Sequence, residues 1–223
     1  MPNLNFKHRI FTEFARIGKA LSHPNRLELL EFLAQGTRNV DELAKVSGLS
    51  VANTSQHLQH LRQTGLVTAQ KRGLKVYYSL SGSDVIELMA NLRLAAQRHI
   101  AEVDRLIHSV LDEKDNVEAI PRSELIKRLE QGSVTVIDVR PAEEYNAGHV
   151  SGAINVPVDE LDNRINKLPR DKEVIAYCRG PHCVLAFDAV HKLRLFGMKA
   201  RRMEDGFPEW ANADMPVESE KLS

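Results

Sequence analysis

Glu173-Val174-Ile175-Ala176-Tyr177-Cys178-Arg179-Gly180-Pro181-His182-Cys183-Val184 decides how the second half of this chain is read. A short apolar run of strand composition enters a six-residue loop that holds both cysteines of the chain. An amphipathic helix is expected to follow, from Val184 to Phe196. A thiol placed where a strand ends and a helix begins faces a bowl of backbone N–H groups. The positive end of the helix dipole points at it, and both effects favour thiolate over thiol. Cys178 is the candidate nucleophile, and Arg179, Gly180, Pro181, His182 and Cys183 complete the catalytic loop. Its backbone N–H groups are expected to hold an anion, with Arg179 and His182 adding positive character.

Strands and helices alternate on both sides of this loop. Pro121 opens a helix with Leu125, Ile126 and Leu129 inward, stopped by Gly132, and Val134–Val139 reads as a buried strand. A strand at Ala153–Val156, a helix from Val158 to Leu168 and a strand near Lys199–Met203 complete the pattern. That order implies a mostly parallel sheet with helices on both faces, and it puts the active site at the carboxyl ends of the strands, where Cys178 falls. Asp138, Arg140 and Glu144 read as a buried polar network supporting the sulfur site, with Arg140 pairing Glu144.

The first half has a different period. Phe6–Leu21 and the segment around Leu27, Leu29, Leu30 and Leu33 are helical in spacing, with Ser22 as the N-cap of the second helix and Pro24 in its first turn. Asn39 and Glu42 form a capping arrangement for a short helix over 40–47, and Ser50 caps a fourth over 51–64. The turn Ser47-Gly48-Leu49-Ser50 between them is a helix-turn-helix signature. Leu66–Gln70 and Lys75–Leu80 read as two strands of a hairpin turned at Lys71-Arg72-Gly73-Leu74. The fourth helix presents Asn53, Thr54, Ser55, Gln56, His57, Gln59 and His60 around a core face of Leu58 and Leu61. Such amides and hydroxyls reach base edges, and Asn and Gln pair well with adenine. Ser50, Asn53, Thr54, Ser55, Gln56, His57 and His60, with Lys71, Arg72 and Lys75 of the hairpin, are the candidate DNA-binding residues. A solvated polar helix face is the alternative for the helix residues.

Charge favours the nucleic acid. The chain carries 30 Lys and Arg against 30 Asp and Glu, yet residues 43–83 hold five basic groups and no carboxylate. With 27% of the chain charged, so long an acid-free window suits a polyanion. From Ser83 to Glu113 a helix of about 45 Å is expected. Val85, Met89, Leu92, Ala96, Ile100, Val103, Ile107 and Val110 form one narrow seam along it. That seam reads as a homodimer interface, with packing against the second domain as the alternative. Asp112–Asn116 serves as a linker, giving domains at 1–113 and 114–223. Two cysteines make no secreted disulfide framework, and neither a signal peptide nor an apolar run of membrane length is evident. The expectation is a cytoplasmic protein with no membrane partner.

Two resemblances follow from these motifs. Ala20-Leu21-Ser22-His23-Pro24-Asn25-Arg26, followed by Ser55-x-His57-Leu58-x-x-Leu61-Arg62-x-x-Gly65-Leu66-Val67, resembles the ArsR/SmtB family of bacterial repressors. The resemblance implies a mainly α, homodimeric winged helix on a double-stranded DNA operator. The metal sites common in that family need cysteines, or Asp and His pairs, that this chain lacks. Asn39 and Asp41 stand at the third-helix positions, and His99-x-x-Glu102 is only half of the other pattern, so neither metal nor cofactor is expected. The second half resembles a single-domain rhodanese, an α/β fold. The matching motifs are Asp138-Val139-Arg140-x-x-x-Glu144-Tyr145-x-x-Gly148-His149, Tyr177-Cys178-Arg179, and Asp205-Gly206-Phe207-Pro208-Glu209-Trp210. It implies a Cys178 persulfide formed from a sulfane-sulfur donor such as thiosulfate or a polysulfide. The phosphatase relatives of the fold require Cys-x5-Arg, and residue 184 is Val.

This loop departs from the usual rhodanese pattern. Glycine is third rather than fourth, Pro181 takes the fourth place, and Cys183 occupies the sixth. Cys183 has two readings: it attacks the Cys178 persulfide to give a disulfide or polysulfide bridge, or it is a small residue that starts the helix. The leading functional expectation is a transcriptional regulator whose rhodanese domain senses or transfers sulfane sulfur. The alternatives are a sulfurtransferase that uses the winged helix only for dimerisation or placement on DNA, and a metal sensor with a passenger domain.

Overall fold

The computed structural model describes residues 3–109 and 119–220, which form two compact units, Met1–Met89 and Ala90–Ser223. The division falls inside the long helix of the sequence reading; residues 110–118, with Val110 and the expected linker and boundary, lie outside the described residues.

The first unit runs α1 (Asn3–Leu21), α2 (Pro24–Ala34), β1 (Arg38–Asn39), α3 (Val40–Ser47), α4 (Val51–Gln63), β2 (Val67–Arg72), β3 (Lys75–Leu80) and the start of α5 (Asp84–His99). Its three strands are antiparallel in the order β1-β3-β2. Leu29, Leu30, Leu33, Leu43, Leu58, Leu61, Val67, Tyr78 and Val85 interlock as one core. Truncating a buried leucine of this kind to alanine costs about 2–5 kcal/mol.

Local chemistry fixes the helix ends. Asn39 and Glu42 make the expected reciprocal capping box. Ser50 Oγ accepts from the Asn53 N–H at 3.2 Å. Gly48 sits at φ 69°, a left-handed conformation that lets α3 stop and α4 start within a few residues. The cap of α2 is His23, not Ser22: its Nδ1 accepts from the Asn25 N–H at 3.2 Å. Ser22 Oγ instead donates to the Lys19 carbonyl. The second wing strand has the expected bounds, while the first runs on from Gln70 to Arg72, so that Arg72 pairs with Lys75 across a tip of Gly73 and Leu74.

The second unit holds a parallel sheet, order β6-β4-β7-β8, built from β4 (Val134–Asp138), β6 (Ile154–Asn155), β7 (Glu173–Tyr177) and β8 (Ala200–Arg202). α7 (Arg122–Glu130) and α11 (Phe207–Asn212) cover one face, and α9 (Leu161–Arg164) and α10 (Val184–Leu195) the other. β5 (His149–Val150) and β9 (Val217–Glu218) pair separately, and α8 (Ala142–Ala147) follows β4. Side chains alternate across the strands. Val174, Ala176 and Cys178 enter the core under α9 and α10, while Ile175 and Tyr177 enter the one under α7 and α11. The helix expected over Val158–Leu168 is shorter, one turn of α9 followed by a 3-10 turn at Ile165–Lys167. The long helix breaks as well: Ile100 is extended (φ −115°, ψ 97°), so α5 ends at His99 and α6 runs from Ala101 to Ile107.

Candidate functional site

The polar face of α4 divides into exposed and buried groups. Asn53, Gln56, Gln59 and His60 are exposed and Ser55 is half-buried. Thr54 corrects the sequence reading. It is fully buried and its Oγ1 donates to the Ser50 carbonyl at 3.0 Å, so its hydroxyl faces the protein. Ser50 uses its hydroxyl as the cap of the helix. His57 is half-buried, its ring 4.5 Å from that of His23 and its Nε2 3.5 Å from Asn25 Nδ2. Burial, followed by the neighbouring His23, Arg26 and His60, lowers its pKa, so it is a neutral ring at neutral pH rather than a phosphate-binding cation. On the wing, Lys71, Arg72 and Lys75 are all exposed. Arg72 lies over the Tyr77 ring at 5.3 Å and donates twice to Gln70 Oε1, which holds its guanidinium at the hairpin tip.

In the second unit Cys178 continues β7 and is buried, and Val184 begins α10 directly after Cys183. The structure joins Cys178 to Cys183 as a disulfide, with a Cα–Cα separation of 6.1 Å. That separation lies within the range such bonds span. The Cys178 carbonyl accepts from the Phe207 N–H at 2.9 Å. Gly206 lies directly against the loop: a Cβ built there would run into the backbone of Arg179 and Gly180. Only glycine allows that approach.

The loop offers fewer N–H groups than expected. Pro181 has none, and the Cys183 N–H donates to the Gly180 carbonyl at 3.1 Å. Neither of these two residues therefore offers an N–H to a cradle. The side chains add little charge. Both Arg179 Nε and Nη2 donate to the carboxylate of the buried Glu144, at 2.7 to 3.0 Å. Burial, then Arg93 and Arg202, lower the pKa of His182 and keep it neutral at neutral pH. The cationic contribution expected of His182 is therefore absent at neutral pH.

The supporting network is also partnered differently. Arg140 donates from its backbone N–H and Nε to Asp138 Oδ1 at 2.9 and 3.0 Å, and from Nη2 to Asp138 Oδ2 at 2.5 Å and to the Gly148 carbonyl at 2.7 Å. Both residues are fully buried. The hydrogen bonds and charge of Asp138 outweigh burial and raise the Arg140 pKa; Glu144 adds to that field while its own carboxylate lies against Arg179. The Tyr177 hydroxyl donates to Asp138 Oδ2 at 2.6 Å and accepts from the Val150 N–H at 3.0 Å. It thereby ties the residue before Cys178 to this network. Burial raises its pKa strongly, so it remains a phenol.

Sequence reasoning did not reach two further residues. Gln97 Nε2 lies 2.8 Å from His182 Nε2, and Arg93 is paired with Glu209. No local pattern links positions 85 and 116 residues apart in the chain. Among the described residues no helix is long and apolar enough to cross a membrane.

Comparison with known proteins assigns both halves. Residues 23–69 match the family described as bacterial regulatory protein, arsR family, and residues 121–213 match the rhodanese-like domain. The HTH-type transcriptional regulator Rv0324 of Mycobacterium tuberculosis is 43% identical over 212 residues, 95% of this chain and 93% of its own length. A fragment of Mb0332 from Mycobacterium bovis, described as a homodimeric winged helix-turn-helix DNA-binding domain, is 38% identical. It covers 42% of this chain and 87% of its own, with a TM-score of 0.40. A rhodanese-related protein of Thermoplasma volcanium is 28% identical over 46% of this chain and 98% of its own, with a TM-score of 0.41. Two family matches in sequence order and one relative alike over nearly its whole length converge on a single assignment: the chain belongs to the ArsR-type HTH transcriptional regulators, here joined to a rhodanese-like domain.

Proposed function

We propose that this regulator binds its operator as a cytoplasmic homodimer and that Cys178 and Cys183 form a sulfane-sulfur switch. The observation that carries this reading is the pair itself: two cysteines across one tight turn, joined to each other, in a chain that also holds a helix-turn-helix. The Cys178 thiolate attacks the terminal sulfur of a polysulfide. The S–S bond of a persulfide forms, and the shortened polysulfide leaves with the electron pair of the broken bond. Cys183, as thiolate, then attacks the inner sulfur of that persulfide. The Cys178–Cys183 bond forms, hydrosulfide departs, and two thiols are oxidised as one sulfane sulfur is reduced.

The thinned amide cradle favours this outcome over repeated turnover. A sulfurtransferase must hold its persulfide until an acceptor arrives, and a second thiol one turn away intercepts it. Asn53, Ser55, Gln56 and His60 are the base-edge candidates of α4, with Lys71, Arg72 and Lys75 on phosphates. Dimerisation is supported by Phe6, Phe11 and Phe14 of α1, each more than half exposed in the single chain, and by the exposed Leu88 and Leu92 of α5, whereas Val85 and Met89 of the expected seam pack into the core of the single chain.

The test compares operator affinity of the reduced and polysulfide-treated protein, for the wild type and Cys178→Ser. The wild type is expected to change affinity and the variant to stay constant; equal affinity in all four conditions refutes the switch. Intact mass follows the chemistry, with steps of about 32 Da for persulfide sulfur or loss of two hydrogens for the bridge.

A further inference from the structure

The structure assigns to Arg93 and Gln97, one turn apart on α5, the positioning of the sulfur loop and the readout of its state; this rests on the sulfur-switch reading above. Positions four apart on a helix share a face, and here both reach the loop or its support. The first route is direct. Gln97 Nε2 lies 2.8 Å from His182 Nε2, and His182 is bonded to Cys183. Consecutive Cα atoms are held about 3.8 Å apart, so drawing Cys183 towards Cys178, or releasing it, displaces the imidazole that Gln97 holds.

The second route passes through one carboxylate. Glu209 pairs with Arg93 through Oε1 and accepts the Gly206 N–H through Oε2 at 3.2 Å. Gly206 is the residue against which Arg179 and Gly180 pack without room for a Cβ. The next residue, Phe207, donates its N–H to the carbonyl of Cys178. The backbone carbonyl of Glu209 also accepts from Arg122 Nη1 at 2.9 Å, which ties the main chain that carries this carboxylate to the first residue of α7. A cleft of about 380 Å³ lies among these groups, lined by Arg93, Gln97, His182, Phe187, Arg202 and Glu209 among others. Open space beside the imidazole gives it room to move when the pair opens or closes.

What makes this more than local support is the helix that carries the two residues. α5 begins at Asp84, and Val85 in its first turn is a buried core residue of the DNA-binding unit. A helix transmits displacement along its axis because each turn is hydrogen-bonded to the next. Arg93 and Gln97 are therefore positioning residues: neither touches the reacting sulfur, and both act through His182 and Gly206.

The experiment uses the full-length protein, reduced or treated with inorganic tetrasulfide, and reads the ratio of operator affinities in the two states. Gln97→Ala and Arg93→Ala are each expected to move that ratio towards one by about threefold or more, while intact mass still shows Cys178–Cys183 bridging. His182→Ala is expected to lower the ratio as Gln97→Ala does, and the double variant Gln97→Ala/His182→Ala by no more than either alone. A purely structural role for Gln97 would lower affinity in both states and leave their ratio in place. Wild-type ratios in both single α5 variants, or full additivity in the double variant, overturn this inference while the switch stands. A wild-type protein whose affinity ignores tetrasulfide overturns the switch instead, so the two failures are distinguishable.

Discussion

The wing of the helix-turn-helix unit and the loop from Cys178 to Cys183 carry their charge in opposite ways. On the wing, Lys71, Arg72 and Lys75 are exposed, in a window of sequence without a carboxylate. Around the loop, side-chain charge is cancelled at source: Arg179 is held by Glu144, Arg140 by Asp138, and His182 is neutral. Beside the fixed polarity of backbone amides and the start of α10, the charges acting on His182 are those of Arg93 and Arg202. The difference teaches where each kind of field is useful. Exposed cations act over a Debye length, about 8–10 Å at ordinary salt, on a ligand that presents many charges. A buried thiolate is one charge in a small space, and oriented dipoles serve it without a mobile counter-ion.

The largest expected effect breaks the cancelled side of this contrast. Arg140→Ala leaves the Asp138 carboxylate buried without its guanidinium, and the rhodanese-like unit is expected to lose about 3–5 kcal/mol in chemical denaturation. The same substitution should leave the unfolding of residues 1–89 in place. Next come the base-edge candidates. Gln56→Ala is expected to weaken operator binding by about 1–3 kcal/mol and relax specificity at one base pair, measured with single-substitution operators. Lys71→Ala should instead weaken all sequences alike and reduce the salt slope by about one. A specificity change from Lys71→Ala, or a salt-slope change from Gln56→Ala, would erase the division between reading and gripping.

A smaller effect sharpens the local picture. Ser50→Ala removes the cap of α4 and is expected to cost about 1 kcal/mol of stability. The smallest effect is the pH dependence of the loop. The folded pKa of His182 lies below its ordinary value of 6.5. The unfolded chain therefore binds its proton first as pH falls. Stability is expected to hold above about 6.5, to decline below it towards the lowered folded value, and to decline less in His182→Gln. Denaturation midpoints between pH 5 and 8 measure this.

Much of the architecture was legible in the sequence because it rests on local rules. The Asn39/Glu42 box, the Ser50 cap, Gly48 and the alternation of β7 are each set by residues within a few positions of one another. What escaped depends on distance or on a missing signal. The break at Ile100 has neither proline nor glycine to mark it, and the apolar spacing continues across it unchanged. The segment from Val158 to Leu168 has helical composition, yet only one α turn and a 3-10 turn form there. Arg179 meeting Glu144, and Gln97 meeting His182, span 35 and 85 positions. Composition could show that charges and amides existed, and only the packed chain shows which ones meet. Thr54 illustrates the same limit on a single helix: its residue type suits a groove, and its position on the cylinder turns it inward.

The alternation along β7 also governs how this protein tolerates change. Tyr177 and Cys178 are separated by one peptide bond yet serve opposite sides of the sheet, so the sulfur's place is set by whether the count of preceding strand residues is odd or even. Deleting any one residue between Glu173 and Tyr177 would present the phenol to α10 and bury the thiol beneath α11. Length, more than composition, is what this strand must keep.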